Sequence, residues 1–253
     1  MYLTIQAIVL RVTDYNDRDA LLTVLSRNHG KLTIKARGLR RKNSPLIAPC
    51  QLLAFGEFTL FEYKNQYTIN EAHSIELFQN LRKDLQKLSL GTYFAQTAEV
   101  LSQEDLPNPE LLSLVLNCLY ALSKLDLPED QVKAVFELRS ACLSGYTPDL
   151  GACHRCGEPY PSHFDVAQGR LECAGCRDPF SDGIRMPVSA GALDSMRYIC
   201  MCSSKRLFSF ETGQQSMHEL SNTTESYLTT QLERGFSTLD FYKSLRNPMI
   251  LRD

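Results

Sequence analysis

The chain has no apolar run approaching the roughly 18 residues that a membrane-spanning helix needs, which excludes a helical span. It also lacks a secretory start. MYLTIQAIVLRV is apolar, but it alternates, has no basic opening and meets Arg11 early. Together these absences predict a soluble, cytoplasmic protein with no membrane partner. No G-x-x-x-x-G-K-[ST] loop occurs, so the means to cradle ATP phosphates for turnover is missing. H-E-x-x-H and the H-x-E…P-C-x-x-C deaminase pattern are missing too. The carboxylates are scattered over helical segments, as on a solvated face, so no enzyme is expected. The nine cysteines are an odd number, which argues against a complete disulfide framework. In an intracellular chain they are reduced thiols or metal ligands. No internal repeat and no low-complexity segment is present.

What is there is enough for a core. The 253 residues are 43% hydrophobic and 22% charged, a globular balance for one large domain or two smaller ones. The net charge of -2 is unevenly distributed: residues 1–45 carry nine Lys or Arg against three Asp, and the remainder is acidic. The excess peaks in RNHGKLTIKARGLRRK, Arg27 to Lys42, which holds seven Lys or Arg, one His and no carboxylate. Asymmetry of this kind points to a polyanionic partner and says nothing about fold.

Periodicity divides the chain. Leu3, Ile5, Ala7 and Val9 alternate, ALLTVLS ends at the turn signal NHG, and KLTIKA follows at once. LLAFGEFTLFEY and QYTINEA are separated by Lys64-Asn65. Five short strands predict a small closed barrel or a sandwich. From about Leu77 the period shifts towards 3.6, which predicts a helix. Asn108-Pro109 opens another, and Pro128 opens a third that Gly145 and Pro148 end. Residues 151–184 are poor in helix signals. Helical pattern returns at 187–202, at 213–234 and near Leu239–Leu245.

Residues 153–176 read CHRCGEPYPSHFDVAQGRLECAGC. Cys153 and Cys156 make one C-x-x-C, Cys173 and Cys176 make another, and sixteen residues lie between the pairs. Two residues between thiolates let one tight turn aim both sulfurs at a single ion, and two such knuckles complete the tetrahedron that zinc favours. Gly157 and Gly175 are expected to supply the unusual backbone angles of the knuckles. Four sulfurs close the coordination shell, so the expected zinc is structural. A redox C-x-x-C would normally occur once, beside a βαβ pattern that is absent here. His154 and His163 are read as bystanders. Cys50, Cys118, Cys142, Cys200 and Cys202 are read as core or half-buried thiols.

In the basic stretch, Lys31 and Lys35 alternate with apolar residues and are expected on one solvent face. Arg37, Arg40, Arg41 and Lys42 follow in a loop bearing Gly38. A cationic strand face plus a cationic loop can track a phosphate backbone. Arg27, Lys31, Lys35, Arg37, Arg40, Arg41 and Lys42 are therefore the candidate nucleic-acid-binding residues. An acidic protein tail, or mere solvation of the hairpin, are the alternatives. Tyr15, Phe55, Phe58, Phe61, Tyr63 and Tyr67 are available for base stacking, with none singled out.

Three stretches together resemble the RecO family of bacterial recombination mediators: HGKLTIKARGLRRKNSPL, FELRSACLSGYTPDLGACHRCG and ECAGC, with FYKSLR near the end. They occur in the family's order along nearly the whole chain, and the middle one is the most specific. The resemblance implies an α+β protein, with an N-terminal OB-fold barrel at 1–77 and a helical domain at 78–253. A zinc-ribbon-like insertion is expected at about 150–184, held by Cys153, Cys156, Cys173 and Cys176. The implied activity is binding of single- and double-stranded DNA, annealing of complementary strands, and help in loading RecA onto strands coated by single-strand-binding protein (SSB). The implied partners are RecR and the acidic C-terminal tail of SSB, and the implied location is the bacterial nucleoid. Lys133 and Arg139, on the helix before the first knuckle, are candidates for the tail, although six residues apart they do not share a face closely. An adaptor that binds acidic peptide tails is the alternative function.

Overall fold

Period-two alternation becomes five strands in the computed structural model, which describes residues 1–177 and 183–246. They are β1 (Tyr2–Tyr15), β2 (Asp19–Ser26), β3 (Gly30–Ala36), β4 (Phe55–Tyr63) and β5 (Gln66–Glu76). They close into a barrel in the order β1-β2-β3-β5-β4, with β4 pairing back to β1. Every pairing is antiparallel except β3 with β5, which run parallel through Ile34↔Tyr67 and Lys35↔Thr68. This OB-like topology settles the choice between barrel and sandwich in favour of the barrel. Ile5, Ala7, Val9, Leu22, Val24, Leu32, Ile34, Phe58 and Leu60 fill the interior. Ile8 and Leu10, on the opposite face of β1, are buried as well.

β1 extends past the predicted alternation. A bulge between Val9 and Arg11 bends it, so that its first half pairs with β4 and its second with β2. Lys64 and Asn65 both take left-handed φ angles, 50° and 57°, the backbone that a tight two-residue hairpin turn requires.

The helices are α1 (Leu85–Leu101), α2 (Pro109–Lys124), α3 (Glu129–Leu143), α4 (Ala190–Met201), α5 (Gln214–Gln231) and α6 (Ser237–Arg246). The first starts later than its apolar period suggests. Phe78 has a positive φ of 47°, which interrupts any helix from Leu77. Asp84 then caps α1 through Oδ1, which accepts from the N–H groups of Gln86 and Lys87 at 2.9 and 3.1 Å. α2 begins where expected: Asn108 Oδ1 accepts from Leu111 N–H at 3.0 Å, and Pro109 occupies the first turn. None of the helices described is long and apolar enough to cross a membrane.

The chain divides into two compact units. One comprises Met1–Leu125 and the segment from Phe236, so α1, α2 and α6 belong with the barrel. α1 packs on β1 and covers its outer face. Tyr93 of α1 meets Phe236 edge-on at 5.4 Å between ring centroids. In the same unit, Gly30 has a φ of +64°, and the backbone of Leu106 lies where its Cβ would be. The absent side chain lets β3 begin against the segment after α1, with Lys31 N–H donating to Gln103 O at 3.1 Å.

The other unit, Asp126–Gly235, holds α3, α4, α5 and a small sheet. The strands of that sheet are β6 (Asp149–Cys153), β7 (His163–Asp165), β8 (Arg170–Glu172) and β9 (Arg185–Pro187), in the order β6-β8-β7-β9. Between α3 and α5 lies a buried ionic cluster. Lys133, only 2% exposed, sits 3.1 Å from Glu137 Oε1 and 2.9 Å from Glu225 Oε2. Its Nζ also donates to Ser221 O at 3.2 Å, and Thr224 Oγ1 donates to Glu137 Oε2 at 2.8 Å. Burial drives the Glu137 carboxyl up to about 7 against the attraction of Lys133. Burial opposes the charge of Lys133, but Glu137 and Glu225 outweigh it and hold the ammonium firmly protonated.

Three outcomes follow for stability. Lys133→Met leaves buried carboxylates without their cation and should cost about 3–5 kcal/mol. The folded chain keeps a proton on Glu137 that the unfolded chain gives up, so this contribution is present at low pH and is lost as pH rises through about 7. Thermal unfolding across a pH series should show that decline in the parent protein and a flatter profile in Glu137→Gln. Gly30→Ala should lose about 1–3 kcal/mol from backbone conformation alone, and more from the collision with Leu106, read by chemical denaturation.

Candidate metal centre and nucleic-acid interface

The two knuckles are distant in sequence, and strand pairing joins them. Cys153 ends β6, Cys173 directly follows β8, and these strands are parallel neighbours with Cys153 paired to Leu171. Both knuckles therefore leave the sheet side by side. Cys173 N–H donates to Cys153 Sγ at 3.4 Å, and His154 N–H donates to Leu171 O at 3.1 Å. Within the first knuckle, Gly157 N–H donates to Cys153 O at 2.9 Å, and its φ of +76° is the left-handed angle expected there. Gly175 is not among the positive-φ glycines, so the second turn closes without that device, through Cys176 and Arg177 N–H donating to Cys173 O at 3.1 and 3.0 Å.

The four sulfurs all lie within 4.8 Å of one another, close enough to bind one metal ion, and a tetrathiol set fits zinc. Burial opposes ionisation of Cys153, but the N–H groups of Cys156, Arg155 and Cys173 outweigh it and bring the thiol down to about 6. Cys173 is pushed up to about 12 by burial and by the neighbouring thiols, and Cys176 up to about 11, chiefly by Cys156. One thiolate is thus favoured, while further anions in so small a space would need a cation, and binding one would displace the remaining protons. His154 does not join the set: its Nδ1 lies 3.1 Å from Leu171 O. His163 Nδ1 is engaged by Ser162 Oγ at 2.8 Å.

A bracket that sequence reasoning did not find lies in the same sheet. Glu172 and Asp165 are both buried, and Arg185 reaches each, with Nε 3.1 Å from Glu172 Oε2 and Nη2 3.2 Å from Asp165 Oδ2. It ties β9 to β8 and β7 next to Cys173. The only sequence trace of it is three charged residues within short strands, a pattern that ordinary surface strands share.

The basic stretch divides around the barrel. Arg27 is exposed in the β2–β3 turn, where its N–H donates to Gln6 O at 3.4 Å. Lys31 is half-buried, and its Nζ donates to Glu99 O at 3.2 Å. Lys35 lies further along β3, 3.4 Å from Asp19 Oδ2 and 4.5 Å above the Tyr15 ring. Arg37, Arg40, Arg41 and Lys42 are exposed in the loop that leaves β3. Arg40 pairs with Asp14 at 3.1 Å, whereas Arg37, Arg41 and Lys42 make no ion pair among the described residues.

Two contacts anchor this loop to the β1–β2 turn. Gly38 N–H donates to Asp19 Oδ1 at 2.9 Å, and Arg40 N–H donates to Arg18 O at 3.1 Å. The Gly38 N–H, with Lys35 and Arg37 nearby, outweighs partial burial and holds the Asp19 carboxyl below its usual range. Arg18, exposed in that turn, thereby joins the loop cations. It lies outside the carboxylate-free window, so charge counting did not single it out. Of the aromatic candidates, Phe58 is wholly buried and Tyr67 packs against the core, while Tyr15 and Tyr63 are 42% and 62% exposed. Phe61, also exposed, lies against Tyr2 with the rings tilted and 5.5 Å between centroids. Lys133 is enclosed by its carboxylates, and Arg139 Nη1 donates to Cys200 O at 3.0 Å, so neither is presented as a free surface cation.

Comparison with known proteins agrees on one family across both units. Residues 1–78 match the family model described as Recombination protein O N terminal, and residues 82–240 match Recombination protein O C terminal. The chain is similar to the DNA repair protein RecO of Acetivibrio thermocellus, 34% identical over 96% of this chain and 97% of that protein. It is 32% identical to the DNA repair protein RecO of Heliobacterium modesticaldum, over 93% of this chain and 88% of the relative. It is 27% identical to that of Alkaliphilus metalliredigens, over 97% of this chain and the full length of the relative. With a family model spanning most of its length and a relative of this identity covered end to end, the chain belongs to the RecO family of DNA repair proteins.

Proposed function

We propose that the chain is a non-enzymatic mediator of DNA repair and recombination that binds single- and double-stranded DNA through the barrel domain, residues 1–77. The observation that carries this reading is the loop after β3, pinned to the β1–β2 turn, where Arg37, Arg41 and Lys42 make no ion pair among the described residues and lie beside Arg18. OB-type barrels hold oligonucleotides on the strand 2–3 face and on the loops after strands 1 and 4. In this chain those loops carry Arg18 and Lys64, and next to them Tyr15 and Tyr63 are exposed. Cations that track phosphates, with aromatic rings for bases to stack on, suit single strands of any sequence.

Annealing then needs no chemistry. Neutralised phosphates let two complementary strands approach, and base pairing supplies the rest of the driving force. Help in loading RecA onto SSB-coated strands, and joint action with RecR and the SSB tail, complete the proposal. Asp14 and Asp19 temper the patch by holding Arg40 and Lys35. In the helical domain, 78–253, Cys153, Cys156, Cys173 and Cys176 would hold a structural Zn2+ with no position open for water. The metal would lock β6 to β8, and with them the short sheet.

Replacing Arg37, Arg41 and Lys42 by Glu should abolish DNA binding in a gel-shift titration while leaving the circular dichroism spectrum unchanged. Retained affinity would remove the proposal, and retained affinity with loss of acidic-peptide binding would favour the adaptor instead. For about four phosphate contacts on a single strand, log affinity should fall against log salt with a slope near −3. Freshly purified protein should contain one zinc per chain by elemental analysis. Cys153→Ser should weaken metal binding by more than the ~10–100-fold typical of outer-shell changes, and a chelator should lower the unfolding midpoint.

A further inference from the structure

Three of the nine cysteines remain half-buried outside the tetrathiol cluster: Cys142, Cys200 and Cys202. Two of them meet. Cys142 lies in the last turn of α3 and Cys200 near the end of α4, and their sulfurs are 3.7 Å apart. Arg139, one turn earlier on α3, donates from Nη1 to the carbonyls of Ile199 and Cys200 at 3.4 and 3.0 Å. The two helix ends are thus fastened together independently of the sulfurs. Cys202 is set apart, with its Sγ 3.7 Å from Ile199 O at the end of its own helix.

We infer that Cys142 and Cys200 form an oxidisable dithiol, a modification site that closes to a disulfide between α3 and α4 when the protein meets hydrogen peroxide. Closing the sulfurs to the ~2.05 Å of a disulfide takes a small movement of two side chains already in contact. The two thiols are unequal, which is what such chemistry needs. Cys142 is brought down to about 7 by the Cys200 thiol beside it, against burial, with help from Thr147 and Arg139. Cys200 is pushed strongly upward by Cys142 and by burial, so it keeps its proton.

The Cys142 thiolate attacks one oxygen of the peroxide. An S–O bond forms, the O–O bond breaks, and hydroxide leaves to take a proton from solvent. The Cys200 sulfur then attacks the sulfenic sulfur. The S–S bond forms, the S–O bond breaks, and the departing hydroxide takes the Cys200 proton and leaves as water. Two thiols are oxidised and one peroxide is reduced to two waters. The chain segment after α3 runs directly into β6 and the first knuckle, so the new bond would clamp the support of the metal centre.

The test uses the full-length, zinc-loaded protein, treated with dilute hydrogen peroxide, quenched by alkylation and digested without reductant. Mass spectrometry should find a cross-linked peptide pair, lighter by two hydrogens than its separate parts, and fragmentation should place the bond at Cys142 and Cys200. A dithiol reductant should reverse it. Cys142→Ser and Cys200→Ser should abolish it, and Cys202→Ser should retain it. In the untreated parent protein, alkylation of Cys142 should reach half its limiting rate near pH 7, well below the other two thiols. Peroxide treatment that leaves both thiols alkylatable, or that joins Cys200 to Cys202 instead, would overturn the inference.

Discussion

Parallel pairing between strands far apart in sequence is the constraint on which both units rest. In the barrel, the short register of Ile34 with Tyr67 and Lys35 with Thr68 is the seam that joins β3 to β5. Without it the sheet would have two open edges, and the row of unpaired amides along β3 would invite other chains. With it, β3 has a neighbour on each side, its apolar residues turn inward and its cations remain outside. In the second unit, β6 and β8 are the parallel pair, and their register is what delivers two knuckles to one point. A parallel pair cannot be closed by a tight hairpin, so each of these seams depends on the chain between the strands following its own path first.

The electrostatics follow from where charges can be afforded a partner. The buried Lys133 is encircled by Glu137 and Glu225, and the buried Glu172 and Asp165 converge on Arg185. These charges lie in an environment where leaving one unpaired is costly, so they act as fasteners for the elements that carry them. The exposed cations at the end of β3 obey a different rule. Water screens them, pairing contributes little, and several remain available to an outside anion. The same residue types thus fasten elements together where they are buried and stay open to solvent where they are not, and burial alone separates the two settings.

Much of the secondary structure was legible. The β2–β3 hairpin announced itself by alternation about NHG, and α2 by Asn108-Pro109, because caps and turns are local chemistry. The start of α1 was misjudged because Leu77 and Phe78 continue an apolar period even though the backbone at Phe78 is left-handed. The seven-cation window read as a single patch, but Lys31 is drawn to the end of α1 while Arg18 arrives from another turn. Lys133 looked like an ordinary helical cation, and nothing local to α3 reveals that Glu225, 92 residues later in the sequence, would close over it.

What the sequence determined by itself is therefore what depends on near neighbours: strand and helix type, helix caps, the spacing that pairs cysteines within each knuckle, and the sign of the charge near the amino end. The tertiary structure alone decided which cations stay free, which charges are buried in pairs, and that Cys142 and Cys200 meet across 58 residues. The physical reason is range. Backbone preferences and turn geometry act over a few residues, whereas burial and strand pairing depend on partners that only the folded chain brings near.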